Sequence, residues 1–341
     1  MHYLSFNEAM RSRFGTKVYR LSLQSGCTCP NRDGTIGTGG CTFCSEGGSG
    51  DFAAPLLPIS EQIKEARKRV DPKIPASIAA QDRRYIAYFQ SYTNTYGNVD
   101  RLRALYAEAL SHPQIAALDI GTRPDCLPDE MVQMLRGLQI SSGKPVWVEL
   151  GLQTIHEKTA RRVHRGYELP VFEDAYRRLK EPFGAQDVAA ETASGQAPET
   201  GATHWHTAPL TDRCASATYP AGLEVIVHVI LGLPGETRED MLETVRYLSH
   251  LNPPLDGIKL QLLHILKGTQ LAREYEAEPF PLPTLDSYCD LIVDCLKLLP
   301  PETVVHRITG DGPKKLLIAP LWSADKKHVL NTLNKKIYEQ Y

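Results

Sequence analysis

Residues 17–47 read KVYRLSLQSGCTCPNRDGTIGTGGCTFCSEG. The first eight alternate apolar and polar side chains, which predicts a strand. The remainder is a glycine-rich loop carrying Cys27, Cys29, Cys41 and Cys44 directly off the end of that strand. Cys41-Thr-Phe-Cys44 is a C-x-x-C bite, in which one tight turn presents two thiolates to one metal centre. Eleven residues separate Cys29 from Cys41, and Gly34, Gly37, Gly39 and Gly40 among them let the chain wrap without steric penalty. Zinc would want all four cysteines, whereas an iron–sulfur cluster held by three leaves one iron open. The spacing leaves both alternatives standing.

Working outward, five more β-branched runs follow: 84–90 (RYIAYFQ), 115–121 (IAALDIG), 146–152 (VWVELGL), 223–231 (LEVIVHVIL) and 257–263 (GIKLQLL). Between them lie helical stripes such as Ile59, Ile63, Ala66 and Val70, or Leu102, Leu105, Tyr106 and Ala109. Thr237 with Asp240 resembles a capping box, and Thr284 is placed to cap a helix burying Tyr288, Leu291, Cys295 and Leu299. Six strands alternating with helices predict an α/β fold, a partial (β/α)6 TIM-type barrel; an open doubly wound sheet is the runner-up. We expect a core at 1–265 and a C-terminal helical, basic extension at 266–341. In 184–219, 22 of 36 residues are Gly, Ala, Ser, Thr or Pro, so this stretch reads as a surface insertion. Its His204, Trp205, His206 and Cys214 read as incidental side chains more than as a metal cluster.

Composition narrows the function. The chain has 341 residues, 42% hydrophobic and 23% charged, enough for a sizeable core and unlike a disordered or collagen-like polymer. No apolar run is long enough to span a membrane, and MHYLSFNEAMRSRFG lacks a signal-peptide core, so a cytosolic protein is expected. A net charge of -2 excludes a globally basic nucleic-acid binder, so a polyanion would have to meet a local patch.

The loop at the carboxyl end of the first strand stands where barrel enzymes gather catalytic groups. Here the residues resemble a known family, the radical S-adenosylmethionine (SAM) enzymes, and most closely the MnmL/YhcC-type subfamily. The resemblance is carried by Cys29-Pro-Asn-Arg-Asp-Gly34 and Gly39-Gly-Cys-Thr-Phe-Cys44. It extends through ELGLQT (149–154), HRGY (164–167), HVILGLPGET (228–237) and APLW (319–322), and omits 184–219. It implies that Cys29, Cys41 and Cys44 bind a [4Fe-4S] cluster whose fourth iron holds SAM, with Cys27 a bystander. It also implies that Phe43 packs beside the adenine, that Glu149 and Gln153 lie near ribose and methionyl groups, and that Gly232 and Gly235 shape a turn near the adenine. Reductive cleavage of SAM to a 5′-deoxyadenosyl radical, fed by an external flavodoxin- or ferredoxin-type donor, is the implied chemistry.

Strand alternation supports a ligand-filled interior independently. Glu149, Gly151 and Gln153 share one face; Asp119, Gly121 and Arg123, Lys259 and Gln261, and His228 fall in the same phase on their strands. A barrel interior serving stability alone would carry branched apolar side chains there. The resemblance further implies tRNA as substrate, the wobble uridine's carboxymethylaminomethyl group becoming aminomethyl. Residues 307–341 hold seven Lys/Arg against three acids, compatible with phosphate contacts or simply with a solvated amphipathic helix. Two alternatives stand beside this reading: a radical SAM enzyme acting on a small metabolite or porphyrin, and a zinc-stabilised binding protein using Cys27, Cys29, Cys41 and Cys44.

Overall fold

The structure is a computed structural model, which describes residues 3–48, 50, 52–184, 222–310 and 312–340. Apart from Gly184, the composition-biased segment 184–219 lies outside the described residues, as do His204, Trp205, His206 and Cys214.

Helix α1 (Phe6–Phe14) precedes an alternation of β1 (Val18–Leu23), α2 (Ile59–Val70), β2 (Arg84–Phe89), α3 (Val99–Ser111), β3 (Ile115–Thr122), α4 (Asp129–Ser142) and β4 (Val146–Gln153). Two helices follow, α5 (Glu157–Arg162) and α6 (Leu169–Lys180), then β5 (Glu224–Leu231), α7 (Arg238–Ser249) and β6 (Gly257–Leu262). The C-terminal part contributes β7 (Ile265–Leu266), α8 (Gln270–Ala277), α9 (Leu285–Leu298), β8 (Val304–Arg307), β9 (Leu317–Ala319) and α10 (Lys326–Gln340). Among the described residues the main sheet is seven-stranded and parallel, in the order β1-β2-β3-β4-β5-β6-β8, and curls into the expected partial barrel. The six expected strands are present, and β8 adds a seventh. Its four residues, VVHR, are too short to announce a period, yet they pair with β6 through Ile258↔Val305.

Each strand sends alternate residues to opposite faces. Leu21, Leu23, Phe89, Leu118, Val148, Leu150, Val225 and Val227 point outward and pack with Ile59 and Ile63, Leu102 and Tyr106, and Tyr288 and Leu291 from the helices. Both expected caps form. Thr237 accepts from Asp240 N while its own N–H donates to the Asp240 carboxylate at 2.7 Å, and Thr284 accepts from Ser287 N.

Inside the barrel the residues form tiers. At the amino end of the strands Val18, Ile86, Ala117, Trp147 and Ile226 make an apolar plug, covered by Met10 of α1. Backbone pairing pins this cover in place: Val305 N–H donates to Leu4 O at 2.8 Å. The next tier is charged: Arg20, Tyr88, Asp119, Glu149, His228 and Lys259. Above it Gly121 and Gly151 leave space beneath the cysteine loop.

Candidate functional site

The charged tier is centred on Glu149, which is 1% exposed. Lys259 Nζ pairs with its Oε1, Tyr88 OH donates to Oε2 at 2.7 Å, and His228 Nε2 lies 2.8 Å from Oε2. Lys259 also donates to Tyr88 OH at 3.0 Å, and Arg20 Nε donates to Asp119 at 3.2 Å. Gln261 Nε2 donates to His228 Nδ1 at 3.1 Å, so Nε2–H is left to donate to Glu149, the arrangement of a neutral imidazole. Burial alone would push the Glu149 carboxyl up, but Lys259, His228 and Arg20 outweigh it and hold it well below the usual range. Burial, reinforced by the Glu149 charge, raises Asp119, and burial lowers Lys259 and His228. Such a tier is tolerated because its charges are paired and hydrogen-bonded.

Above this floor opens a chamber of about 250 Å³, bordered by Cys29, Cys41, Cys44, Phe43, Glu149, Gln153, His228, Gln261 and Arg307 among others. The loop reaches over it because Arg32 folds back beneath the final turn, donating to Cys44 O at 3.1 Å and Ser45 O at 2.6 Å. Gly40 (φ 85°) permits that approach; a Cβ there would fall 2.8 Å from the Arg32 guanidinium. Arg123 secures the opposite rim, bound to Asp125 at 2.7 Å and to Arg165 O at 2.8 Å.

The structure therefore brings together Cys29, Cys41, Cys44, Phe43, Glu149 and Gln153. Gly232 and Gly235 do not border the chamber. Gly232 (φ 92°) abuts Pro283, and Gly235 is exposed near Arg162, so these glycines shape the turn that carries Leu233 into the small cluster beneath Phe43. Cys27 also faces elsewhere. It is buried toward α3, where Arg101 donates to its Sγ at 3.3 Å. The four-cysteine zinc reading is thus corrected: one of its ligands is turned away and hydrogen-bonded. Sequence reasoning missed Arg20, Tyr88, Arg307 and Asn31. Tyr88 was in reach, since it shares the inward phase of Ile86 on β2.

Three thiols converging from one loop suit a cluster that leaves one iron open. Burial pushes the Cys41 thiol up to about 12, so a metal must displace its proton. Gln153, held at φ 70°, has a buried Oε1 that no donor among the described residues satisfies, as expected of a position awaiting a ligand. The residues fit both groups.

A parallel half-barrel that delivers three cysteines to a polar chamber from its first strand is the architecture of the radical SAM enzymes, which hold a [4Fe-4S] cluster and SAM. Residues 255–339 match the Radical_SAM C-terminal domain family. Within that superfamily the chain belongs to the family of YtqA and YhcC. It is 37% identical to the uncharacterized protein YtqA of Bacillus subtilis over 98% of this chain and 89% of that one. It is 34% identical to protein YhcC of Escherichia coli over 94% and 87% respectively. The solved structure of Methanocaldococcus infernus Elp3 with its N-terminus deleted shares the fold, with a TM-score of 0.59 at 14% identity. That likeness covers 94% of this chain and 63% of the Elp3 chain.

Proposed function

We propose that this chain is a tRNA-modifying enzyme of the MnmL/YhcC type, acting on the carboxymethylaminomethyl group of a wobble uridine. In this reading Cys29, Cys41 and Cys44 hold the cluster, and Phe43, Glu149 and Gln153 border SAM. Bound together, cluster and SAM supply one-electron cleavage of a carbon–sulfur bond and hydrogen abstraction from the substrate. The chain's own residues orient and shield. The ionic tier keeps Glu149 charged and fixed, the apolar plug excludes water from below, and the Arg32-braced loop covers the top. Residues 1–265 form the catalytic core and 266–341 an extension that returns β8 to the sheet, in a cytoplasmic protein. Among the described residues no helix is long and apolar enough to cross a membrane.

The observation that carries the substrate assignment is the chamber wall facing away from the cysteines. There Arg307 donates to Gln261 at 3.3 Å, and Gln261 in turn holds His228. This row suits a side chain bearing a carboxylate and an amine. The α10 surface supports an RNA partner with fewer charges than its sequence suggests. Lys336 is taken by Asp286 and Asp290 at 2.6 Å each, leaving exposed Lys326, Lys327 and Lys335 to meet phosphate.

The test is anaerobic incubation with SAM, reductant and undermodified tRNA, read by mass spectrometry of nucleosides. The expected products are 5′-deoxyadenosine and an aminomethyl nucleoside, with tRNA affinity falling as salt rises. Unchanged nucleosides alongside uncoupled SAM cleavage would move the substrate to a small metabolite.

A further inference from the structure

We propose that a groove outside the chamber, between the cysteine loop and the α5–α6 turn, docks an acidic one-electron carrier protein that reduces the cluster by way of Asn31. This rests on the assignment of the cluster to Cys29, Cys41 and Cys44.

The groove measures about 530 Å³ and is bordered by Asn31, Ile36 and Gly40 on the loop side and by Arg161, His164 and Tyr167 on the other. Gly40 and Tyr167 border the chamber as well, so the two spaces share a thin wall. Asn31 spans it. Its Nδ2 donates to His164 O at 2.7 Å and reaches Cys41 Sγ at 3.5 Å. The turn is built around this side chain: Gly166 (φ 83°) lies so close that a Cβ would fall 2.6 Å from Asn31 Oδ1. His164 takes φ 55°, uncommon for a residue with a side chain. A hydrogen-bonded bridge thus leads from the groove to a ligand sulfur without crossing the space that SAM and substrate require.

Charge selects the partner. Lys158, Arg161, Arg162 and His164 are exposed on α5 and its turn, against exposed Glu168 and Asp33, while Glu157 is tied to Arg165 at 2.9 Å. In a chain of net charge -2 this local cationic excess favours an acidic protein. Ile36, 47% exposed, supplies an apolar rim. A slot suits a carrier whose redox group is a planar ring with its edge at the protein surface, so the occupant is a reduced flavodoxin-type protein. In the transfer the flavin hydroquinone anion loses one electron and becomes the neutral radical. The oxidised cluster gains that electron, and no bond or proton changes place.

The test uses the full chain with its cluster reconstituted anaerobically, mixed with reduced flavodoxin and followed by bleaching near 400 nm. In Lys158→Glu/Arg161→Glu the reduction rate should fall about tenfold or more, and calorimetric affinity for flavodoxin should fall with it. Iron content and bleaching by dithionite should match the wild type. Wild-type reduction by flavodoxin should slow as salt rises. An unchanged flavodoxin rate in the double variant would overturn the proposal, as would loss of the rate in Lys326→Glu/Lys327→Glu instead. A ferredoxin that outpaces flavodoxin with the same charge sensitivity would overturn the choice of carrier. Failure of the cluster assignment shows separately, as iron retained when Cys29, Cys41 or Cys44 is replaced.

Discussion

Arg20 on β1 donates to His306 Nδ1 on β8 at 2.7 Å, tying together the two end strands of the sheet. Arg20 also reaches Asp119 and lies over the Phe6 ring at 4.0 Å, so one guanidinium joins the seam, the ionic tier and the α1 cover.

That contact sets an acid limit. Burial holds His306 well below its ordinary 6.5, and the neighbouring Arg20 charge lowers it further. Between its folded pKa and 6.5 the unfolded chain binds a proton that the folded chain refuses, so the stability present above 6.5 is lost as pH falls through that window. Each unit of separation is about 1.4 kcal/mol. On lowering pH from about 7.5 to about 5.5, the wild-type melting temperature should fall more than that of His306→Gln, which keeps an acceptor for Arg20. Parallel curves would remove His306 from the acid limb.

Glu149 and Lys259 are interdependent. Lys259→Met leaves a buried carboxylate without its main counter-charge and should cost about 3–5 kcal/mol in urea unfolding. Adding Glu149→Gln should recover much of that loss, and strictly additive effects would count against the pairing.

The cysteines should divide into two groups. Replacing Cys29, Cys41 or Cys44 with Ala should strip iron and SAM cleavage. Cys27→Ala, which removes only a partner of Arg101, should retain both. Iron analysis and 5′-deoxyadenosine assays check this, and cluster loss in the Cys27 variant alone would reverse the assignment.

The segment 186–217 should be replaceable by a short Gly/Ser linker with the melting temperature kept within a few degrees. Its flanks already meet, since Leu223 N–H donates to Leu179 O at 2.8 Å and Gly222 packs against the end of α6. Shortening a loop changes closure entropy by only about 0.6 kcal/mol per halving. A large cooperative loss on calorimetry would show that the segment packs.

The sequence made the barrel legible because buried parallel strands read as β-branched runs, and all six predicted runs became strands. Inward positions were legible too, since a period of two tells Glu149 from Val148 without any coordinates. Partnership was not. Nothing local couples Arg20 to His306 across 286 positions, or Asn31 to His164 across 133. The orientation of Cys27 was equally hidden, being decided by Arg101 on a distant helix. The glycines at 232 and 235 looked like a ligand turn because positive φ serves packing and binding alike; only the neighbours tell which.

The cover formed by α1 has one more consequence. With its floor stoppered, the chamber is a cul-de-sac whose guests all use the same doorway. A bulky nucleic acid seated there shuts out whatever has not already arrived, so SAM must come first and its fragments leave last. Turnover then becomes a queue, and the tRNA that is acted upon also serves as the cork.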